Sequence, residues 1–442
     1  MNAGFVKKIY NGLPESIKEI FGNLIRNKLI KNSIFKKQYK ELVDAEKMDA
    51  VDLEQQQLKL LRQTCIYAYE ETSYYKRVFD EVEFEPYSFQ TFEEFTKKVP
   101  VLTKQMVLDY FDEINAGNIT NDYPATTGGS SGTRLQINNA WETFYRENAF
   151  DYHFQSKLGY DYKKDKLLLL AGSESDRLCS ISPLYNMVRI SGRYLNADTM
   201  KEAVEFINKT KPDYIKGIPS AVYQFCKYLK NGNYELKCAI KGVFYRSENI
   251  NPEQRKFVEE TLKCPSIAFY GATERVAWAE EENNIDGVPI YRFQPLYGYM
   301  ELDEEDGETI ISTGFINPKM PLIRYKTDDS AKCVGDGLYT ITGHRSTALV
   351  GKNGENISVE YFAHLEESFD KIEKYQLEQY EKGIVIVNIV PRRKLSVGEM
   401  AEIKELFEKK CAYKLNITLK IVDNVVLTPR GKFKLLNHSI NE

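Results

Sequence analysis

The spacing of apolar positions changes character along the chain. In the first forty residues Phe5, Ile9, Leu13, Ile17, Phe21, Leu24 and Ile25 recur at helical intervals, with Pro14 placed to open a second helix. From about Leu53 to Ile119 the pattern stays mostly helical, and a short helix opens at Phe92–Phe95 before Pro100. Strand-length apolar bursts then alternate with amphipathic stretches. The pattern predicts strands over Lys166–Ala171, Asp213–Lys216, Ala239–Tyr245 and Ser266–Tyr270, and helices over Met200–Thr210, Ala221–Lys230 and Pro252–Leu262. Strands separated by helices of this length indicate βαβ units and a parallel sheet.

Beyond about Tyr291 the signal becomes short strands and glycine turns, at Thr309–Ser312, Leu338–Thr342 and Ala348–Lys352, the last followed by the turn pair Asn353-Gly354. The last hundred residues read as a separate small α+β unit. It has a helix near Val359–Phe369, a strand at Gly383–Val390, a helix at Val397–Cys411 and a strand at Asn416–Val422. The change of pattern puts a boundary near residue 345. The expected organisation is a large unit over residues 1–345, with 1–45 as a basic helical lead-in, and a small one over 346–442.

Composition narrows the class. The chain has 442 residues, 42% of them hydrophobic and 28% charged, which is ample for buried cores and excludes disordered and low-complexity classes. Lys plus Arg number 60 against 64 acidic residues, a net −4, so no overall cationic field invites nucleic acid. No run approaches the ~18 apolar residues of a membrane span, and no signal peptide is read at the N-terminus. Seven dispersed cysteines without a CxxC pair fit neither a disulfide framework nor a zinc site, so buried thiols in the cytoplasm are expected. The four histidines (His153, His344, His364, His438) have no metal-ligand spacing. The lead-in is locally basic, with nine Lys/Arg against Glu15 and Glu19 in forty residues. It reads as a helix pair packed on the main body with a solvated basic face. The alternative is peripheral contact of residues 1–40 with an anionic membrane surface.

Five segments carry candidate chemistry. The first, Ala125 to Arg134, places Thr127, Gly128, Gly129, Ser130, Ser131, Gly132 and Thr133 in one loop. Its backbone N–H groups and hydroxyls suit polyphosphate oxygens, because glycine permits the turns of an anion nest, yet the Walker ending is absent. The second is Tyr270-Gly271-Ala272-Thr273-Glu274, after an apolar strand. A carboxylate at the C-terminal end of a parallel strand lies where such sheets bind ligands, and Glu274 suits Mg²⁺ beside phosphates. An ordinary turn into an acidic helix, given Glu280, Glu281 and Glu282, is the competing reading. The third, Arg324 to Asp329, offers adjacent carboxylates to a ribose diol, or is a charged turn after Pro321. Gly343-His344-Arg345-Ser346 at the boundary and Thr428-Pro429-Arg430-Gly431-Lys432-Phe433 near the end complete the set. GxSxG is absent, which counts against a hydrolase.

In this order the five segments resemble the adenylate-forming superfamily of acyl-CoA synthetases and related ligases. Within it the likeness is to phenylacetate–CoA ligase and the CapK-like family of capsular polysaccharide biosynthesis. Leu13-Pro14-Glu15-Ser16, Gly217-Ile218-Pro219-Ser220 and Ser247-Glu248-Asn249-Ile250 support that subgroup. The resemblance implies an α/β fold, with a large N-terminal adenylate-forming domain of parallel sheets flanked by helices and a small mobile α+β C-terminal domain. It implies ATP and Mg²⁺ as cofactors. Thr127 to Thr133 would hold the β- and γ-phosphates, Thr273 the α-phosphate and Glu274 the metal. Ser247, Glu248, Tyr270 and Gly271 would line the adenine pocket, and Asp329 would grip the ribose. Arg345 would be the hinge arginine, and Lys432 the lysine inserted during adenylation. The implied activity is ATP-dependent ligation of a small carboxylic acid, through acyl-AMP, to an amine, sugar or hydroxyl acceptor at the cytoplasmic face of the membrane. CoA as acceptor is the runner-up, and a non-catalytic nucleotide-binding scaffold is a third reading. Two departures touch the acceptor step. Thr133-Arg134 stand where the loop commonly ends in lysine and proline, and Ser346-Thr347-Ala348 follow Arg345 where an acidic or lysine residue is common.

Overall fold

The computed structural model describes residues 29–126, 135–171, 177–182, 185–191, 195, 198–247, 249–344, 348–352, 354, 356–362, 371–411, 413–426, 435–438 and 440. Helices α1 (Ser33–Ala45), α2 (Ala50–Glu71), α3 (Ser73–Glu81), α4 (Phe92–Lys98), α5 (Lys104–Asp109) and α6 (Phe111–Ile114) come first. Five of the six begin at a side-chain cap, Asn32, Asp49, Thr72, Thr91 or Thr103, each accepting from a backbone N–H of the first turn. A hairpin of β1 (Asp122–Thr126) and β2 (Gln136–Ala140) leads into α7 (Trp141–Ser156).

Then follow β3 (Leu167–Ala171), β4 (Cys179–Ser182), β5 (Met187–Ser191), α8 (Met200–Thr210), β6 (Tyr214–Gly217), α9 (Pro219–Asn231), β7 (Gly242–Tyr245), α10 (Pro252–Leu262) and β8 (Ser266–Gly271). Strands β5, β3, β6, β7 and β8 pair in parallel in that order, as the alternating pattern predicts. Both faces of this sheet are covered. Ile215 and Val243 on one face join Val204, Phe225 and Val258 of α8, α9 and α10, while Tyr214 and Phe244 on the other join Phe150 and Phe154 of α7. Burial on both faces is why the strands read as continuous apolar runs.

The sheet continues antiparallel through β9 (Trp278–Ile285), β10 (Val288–Phe293), β11 (Gly298–Leu302), β12 (Thr309–Gly314), β13 (Tyr325–Gly335) and β14 (Leu338–His344). The complete order is β11-β12-β13-β14-β10-β9-β8-β7-β6-β3-β5-β4. A third core packs α2 to α5 against Val276, Phe315, Leu322 and Tyr325. After the pair β15 (Ala348–Val350) and β16 (Asn356–Ser358), a four-stranded sheet forms from β17 (Ile372–Glu381), β18 (Ile384–Pro391), β19 (Asn416–Ile421) and β20 (Leu436–His438). With α11 (Val397–Lys410) it encloses its own core around Leu377, Val387, Ile403 and Phe407. The architecture is α/β, with a large sheet-centred part and a smaller α+β part.

Two competing readings fall away and one expectation changes. The acidic stretch after Glu274 is strand β9 rather than a helix, and Tyr325 to Asp329 open strand β13 rather than forming a charged turn. Cysteine burial is mixed, because Cys333 is exposed. Of the lead-in, residues 1–28 lie outside the described residues. From Leu29 onward it packs on the body: Leu29, Phe35 and Leu42 are buried in the core shared with α7, and Lys31, Lys36, Lys37 and Lys40 are exposed. No described helix is long and apolar enough to cross a membrane.

Candidate active site

Strand β8 ends at the C-terminal edge of the parallel sheet, and the chain turns there through Thr273 and Glu274 before β9. Arg275 takes a left-handed backbone (φ 62°), its N–H donates to the Ala272 carbonyl (3.1 Å), and both features close the turn. Its side chain pins the turn to α7 through Glu147, at 2.6 Å. Gly314 of β12 runs directly beneath: a Cβ there would collide with the Arg275 carbonyl and crowd Val276 Cα at 3.0 Å. Thr273 and Glu274 are therefore half-buried at the tip of a turn held from two sides.

Two segments nearly sixty residues apart meet at this edge. The Tyr270 hydroxyl donates to Asp329 Oδ2 at 2.6 Å, and the buried Tyr325 hydroxyl hydrogen-bonds Glu274. Four inter-strand steps separate β8 from β13 in the sheet order, about 19 Å in a flat sheet. A tyrosine and an aspartate cannot span that, so the sheet curls until its two halves face one another. Burial, the Asp329 charge and the hydrogen bond to Asp329 push the Tyr270 phenol well above its ordinary pKa. Burial and the neighbouring Glu274, Asp328 and Asp329 do the same to Tyr325. Both phenols thus remain hydrogen-bond donors to carboxylates at neutral pH. Asp328 is exposed and lies 3.7 Å from Lys104.

Of the sequence candidates, Tyr270, Gly271, Thr273, Glu274 and Asp329 gather here. Ser247 lies beside them, exposed and left-handed (φ 68°), two residues past the end of the adjacent strand β7. Gly271 is exposed, and a Cβ on it would meet only the rings of Trp278, at 3.4 Å, and Phe269, at 3.6 Å, so packing alone does not demand glycine there. Thr127 to Thr133, Glu248, Arg345 and Lys432 lie outside the described residues. The strands flanking the first of these segments pair as β1 and β2, with Thr126 opposite Gln136. Sequence reasoning missed Tyr325, although it sits inside a quoted motif. It also missed the ionic residues behind the turn, Glu147, Asp151, Lys216 and Arg246. The available signals were a lysine inside the apolar strand Tyr-Ile-Lys-Gly and two acids one turn apart on an otherwise packed helix.

Among the described residues no group of three or more His, Cys, Asp or Glu is arranged to hold a metal ion. One carboxylate, Glu274, at the C-terminal edge of the parallel sheet nevertheless suits Mg²⁺, which takes one or two protein carboxylates and completes its shell with phosphate and water.

Residues 349–439 match the family model of the CapK C-terminal domain. The CapK likeness extends well beyond that unit. The chain is 20% identical over 366 residues to Protein CapK of Staphylococcus aureus, covering 78% of this chain and 80% of that one. It is 23% identical over 364 residues to phenylacetate-coenzyme A ligase of Escherichia coli (strain K12), covering 75% and 80%. Among solved structures it resembles 2-hydroxyisobutyryl-CoA ligase in the postadenylation state with R3-HIB-AMP (TM-score 0.63, 14% identity, 89% of this chain and 91% of that one). The same ligase with 2-HIB-AMP and CoA in the thioesterification state superposes with a TM-score of 0.55 at 15% identity, over the same shares. The segment that matches the CapK C-terminal domain is thus joined to a large part that has the fold of these adenylate-forming ligases.

Proposed function

We propose that this chain is an ATP-dependent, AMP-forming ligase. It activates a carboxylic acid as an acyl adenylate and passes the acyl group to an amine or hydroxyl acceptor in cell-surface polysaccharide biosynthesis. The observation that carries the reading is the meeting of Tyr270 with Asp329 and of Tyr325 with Glu274 at the C-terminal edge of the sheet. Two carboxylates from distant segments are held by phenol donors at the edge where open α/β sheets bind ligands.

A carboxylate is a poor electrophile until it carries a good leaving group. Its oxygen attacks the α-phosphorus of ATP, the P–O bond to pyrophosphate breaks, and the mixed anhydride forms. Two anions must approach for that step. In our assignment Lys432 lies between them, Thr127 to Thr133 hold the β- and γ-phosphates, and Thr273 holds the α-phosphate. Glu274 would hold Mg²⁺, which neutralises charge on the departing pyrophosphate. Ser247, Glu248, Tyr270 and Gly271 would line the adenine site, and Asp329 would bind the ribose hydroxyls. Arg345 would sit at the hinge about which residues 346–442 rotate between the two half-reactions. The acceptor then attacks the acyl carbon and AMP leaves.

The match to the CapK C-terminal domain and the CapK relative support an acceptor on a polysaccharide precursor at the cytoplasmic membrane face. The similarity to phenylacetate-coenzyme A ligase supports a second reading, in which the acceptor is the CoA thiol. Pyrophosphate release from MgATP, measured over a panel of acids with CoA, with amines or amino sugars, and with no acceptor, tests both. Lys432→Ala is expected to cut acid-dependent release by about 10²–10³-fold, the usual loss for a positioned transition-state charge. The acceptor that accelerates turnover selects between amide or ester and thioester. ATP binding without release, for every acid, would instead indicate a nucleotide-binding scaffold.

A further inference from the structure

Behind the Thr273–Glu274 turn, one face of the parallel sheet carries charge where its neighbours are apolar. Lys216 on β6 stands in register with Leu169 of β3 and Phe244 of β7, and Arg189 of β5 is in register with the same Leu169. Arg246 lies two residues beyond Phe244, so strand alternation puts it on that face too, one step nearer the edge. Its N–H donates to the Gly217 carbonyl at 3.1 Å, extending the alignment past the strand end. Helix α7 covers this face and presents Glu147 and Asp151, one turn apart. Asp151 accepts from the buried Lys216 ammonium at 2.5 Å, and Glu147 pairs with Arg275 at 2.6 Å.

Those two pairs leave Arg246 over. It is half-buried, and among the described residues its side chain bonds only to Ser247 Oγ, at 3.4 Å, with no carboxylate in ion-pair range. Burial holds Lys216 below the ordinary lysine range against the pull of Asp151, and the Arg246 charge pushes the same way. Two like charges therefore press on each other at the strand ends. Around Glu147 and Asp151, three cations (Lys216, Arg246, Arg275) meet these two carboxylates among the described residues.

We propose that the acid activated at this site carries a second anionic group, bound by Arg246 with Lys216 behind it, while the reacting carboxylate lies at the Thr273–Glu274 turn. This rests on the ligase reading given above and names its substrate class. An apolar acyl chain laid on Arg246 would strip water from a guanidinium and return nothing, whereas an anion restores the lost solvation with charge-assisted hydrogen bonds and relieves the Lys216–Arg246 repulsion. The spacing sets the size. From β8 to β7 is about 5 Å and to β6 about 10 Å, the separation of the two carboxylates in glutarate through suberate.

Acid-dependent pyrophosphate release, compared between glutarate, adipate, pimelate and suberate and their monomethyl esters, tests this. The diacids are expected to exceed the matched esters in kcat/KM by about 10- to 100-fold, the range of a hydrogen-bonded charge pair. Arg246→Gln should bring that ratio close to one. Arg246→Glu should move the preference to ω-amino acids of the same length, a switch that a merely structural arginine would not produce. Esters that match the diacids in the wild type overturn the inference and leave the ligase reading standing. Nucleotide binding with no release from any acid, ester or amino acid overturns the ligase reading, and this inference with it.

Discussion

A phenol that donates to a carboxylate 2.6 Å away fixes the position of both, and at this edge Tyr270 does so for Asp329. Because burial and the adjoining charges raise its pKa, the Tyr270 proton stays in place across the neutral range. Tyr270→Phe keeps the ring against Phe293 and removes only the donor. A hydrogen bond to a charged group contributes about 1.5–3 kcal/mol, so nucleotide affinity should fall by about 10-fold or more. Calorimetric titration with a non-hydrolysable ATP analogue measures it, and unchanged affinity would remove Asp329 from nucleotide binding. Tyr270 and Asp329 were each legible in the sequence as motif residues. Their contact was not, because it depends on the curl of a sheet whose intervening strands leave no local signal.

Strands and helices that bury both faces were the most legible elements. Met200–Thr210 and Pro252–Leu262 fall within the bounds that periodicity gives, since apolar spacing and an N1 proline act locally. Strand β9 was misread for the opposite reason. Its run of three glutamates looks solvated, yet Glu280 accepts from Trp278 Nε1 and pairs with Lys157 at 2.8 Å, and Glu281 pairs with Arg255 at 2.7 Å. The ionic partners that make those charges buriable come from the C-cap of α7 and from α10. Arg324 presents the same lesson at the start of β13. Buried, with φ 50°, it binds both oxygens of Glu301 (2.6 and 3.2 Å) and the carbonyls of Thr96 and Val99, so one side chain ties α4 to β11 and β13. Arg324→Ala strands Glu301 and two carbonyls and should cost about 3–5 kcal/mol. Lysine cannot reproduce the planar fork, so Arg324→Lys should recover little of this. Urea unfolding of the two variants checks it, and a shift below about 1 kcal/mol in either would mean the network is solvent-compensated.

Across the whole molecule, the switch from parallel to antiparallel pairing at β8 and β9 decides what can be built at the edge between them, and the chain as a whole carries thirty tyrosines. Many are interior. Tyr75, Tyr245, Tyr270, Tyr297 and Tyr325 all have phenols pushed upward, in each case first by burial. In the unfolded chain these phenols ionise near pH 10, whereas in the folded protein they remain protonated. A group whose pKa is raised on folding stabilises fully below its unfolded value and loses that contribution as pH climbs through and beyond it. Each such tyrosine removes up to about 1.4 kcal/mol per pH unit above about pH 10. Lys216 and Lys410, held low by burial, work in the other direction and gain as pH approaches their unfolded value. Five phenols against two ammonium groups make the balance a loss. The thiols of Cys65, Cys179, Cys226 and Cys264, also pushed up by burial, add the same kind of loss from about pH 8.5, so the urea midpoint should begin to fall there and drop steeply by about pH 11, with the tyrosinate absorbance of the buried phenols appearing together with unfolding rather than before it. A midpoint that holds or rises across that range, or tyrosinate absorbance in the folded protein that exceeds what exposed phenols such as Tyr87, Tyr380 and Tyr413 supply, would mean that water reaches the buried phenols and that the interior around the two facing halves of the sheet is not closed.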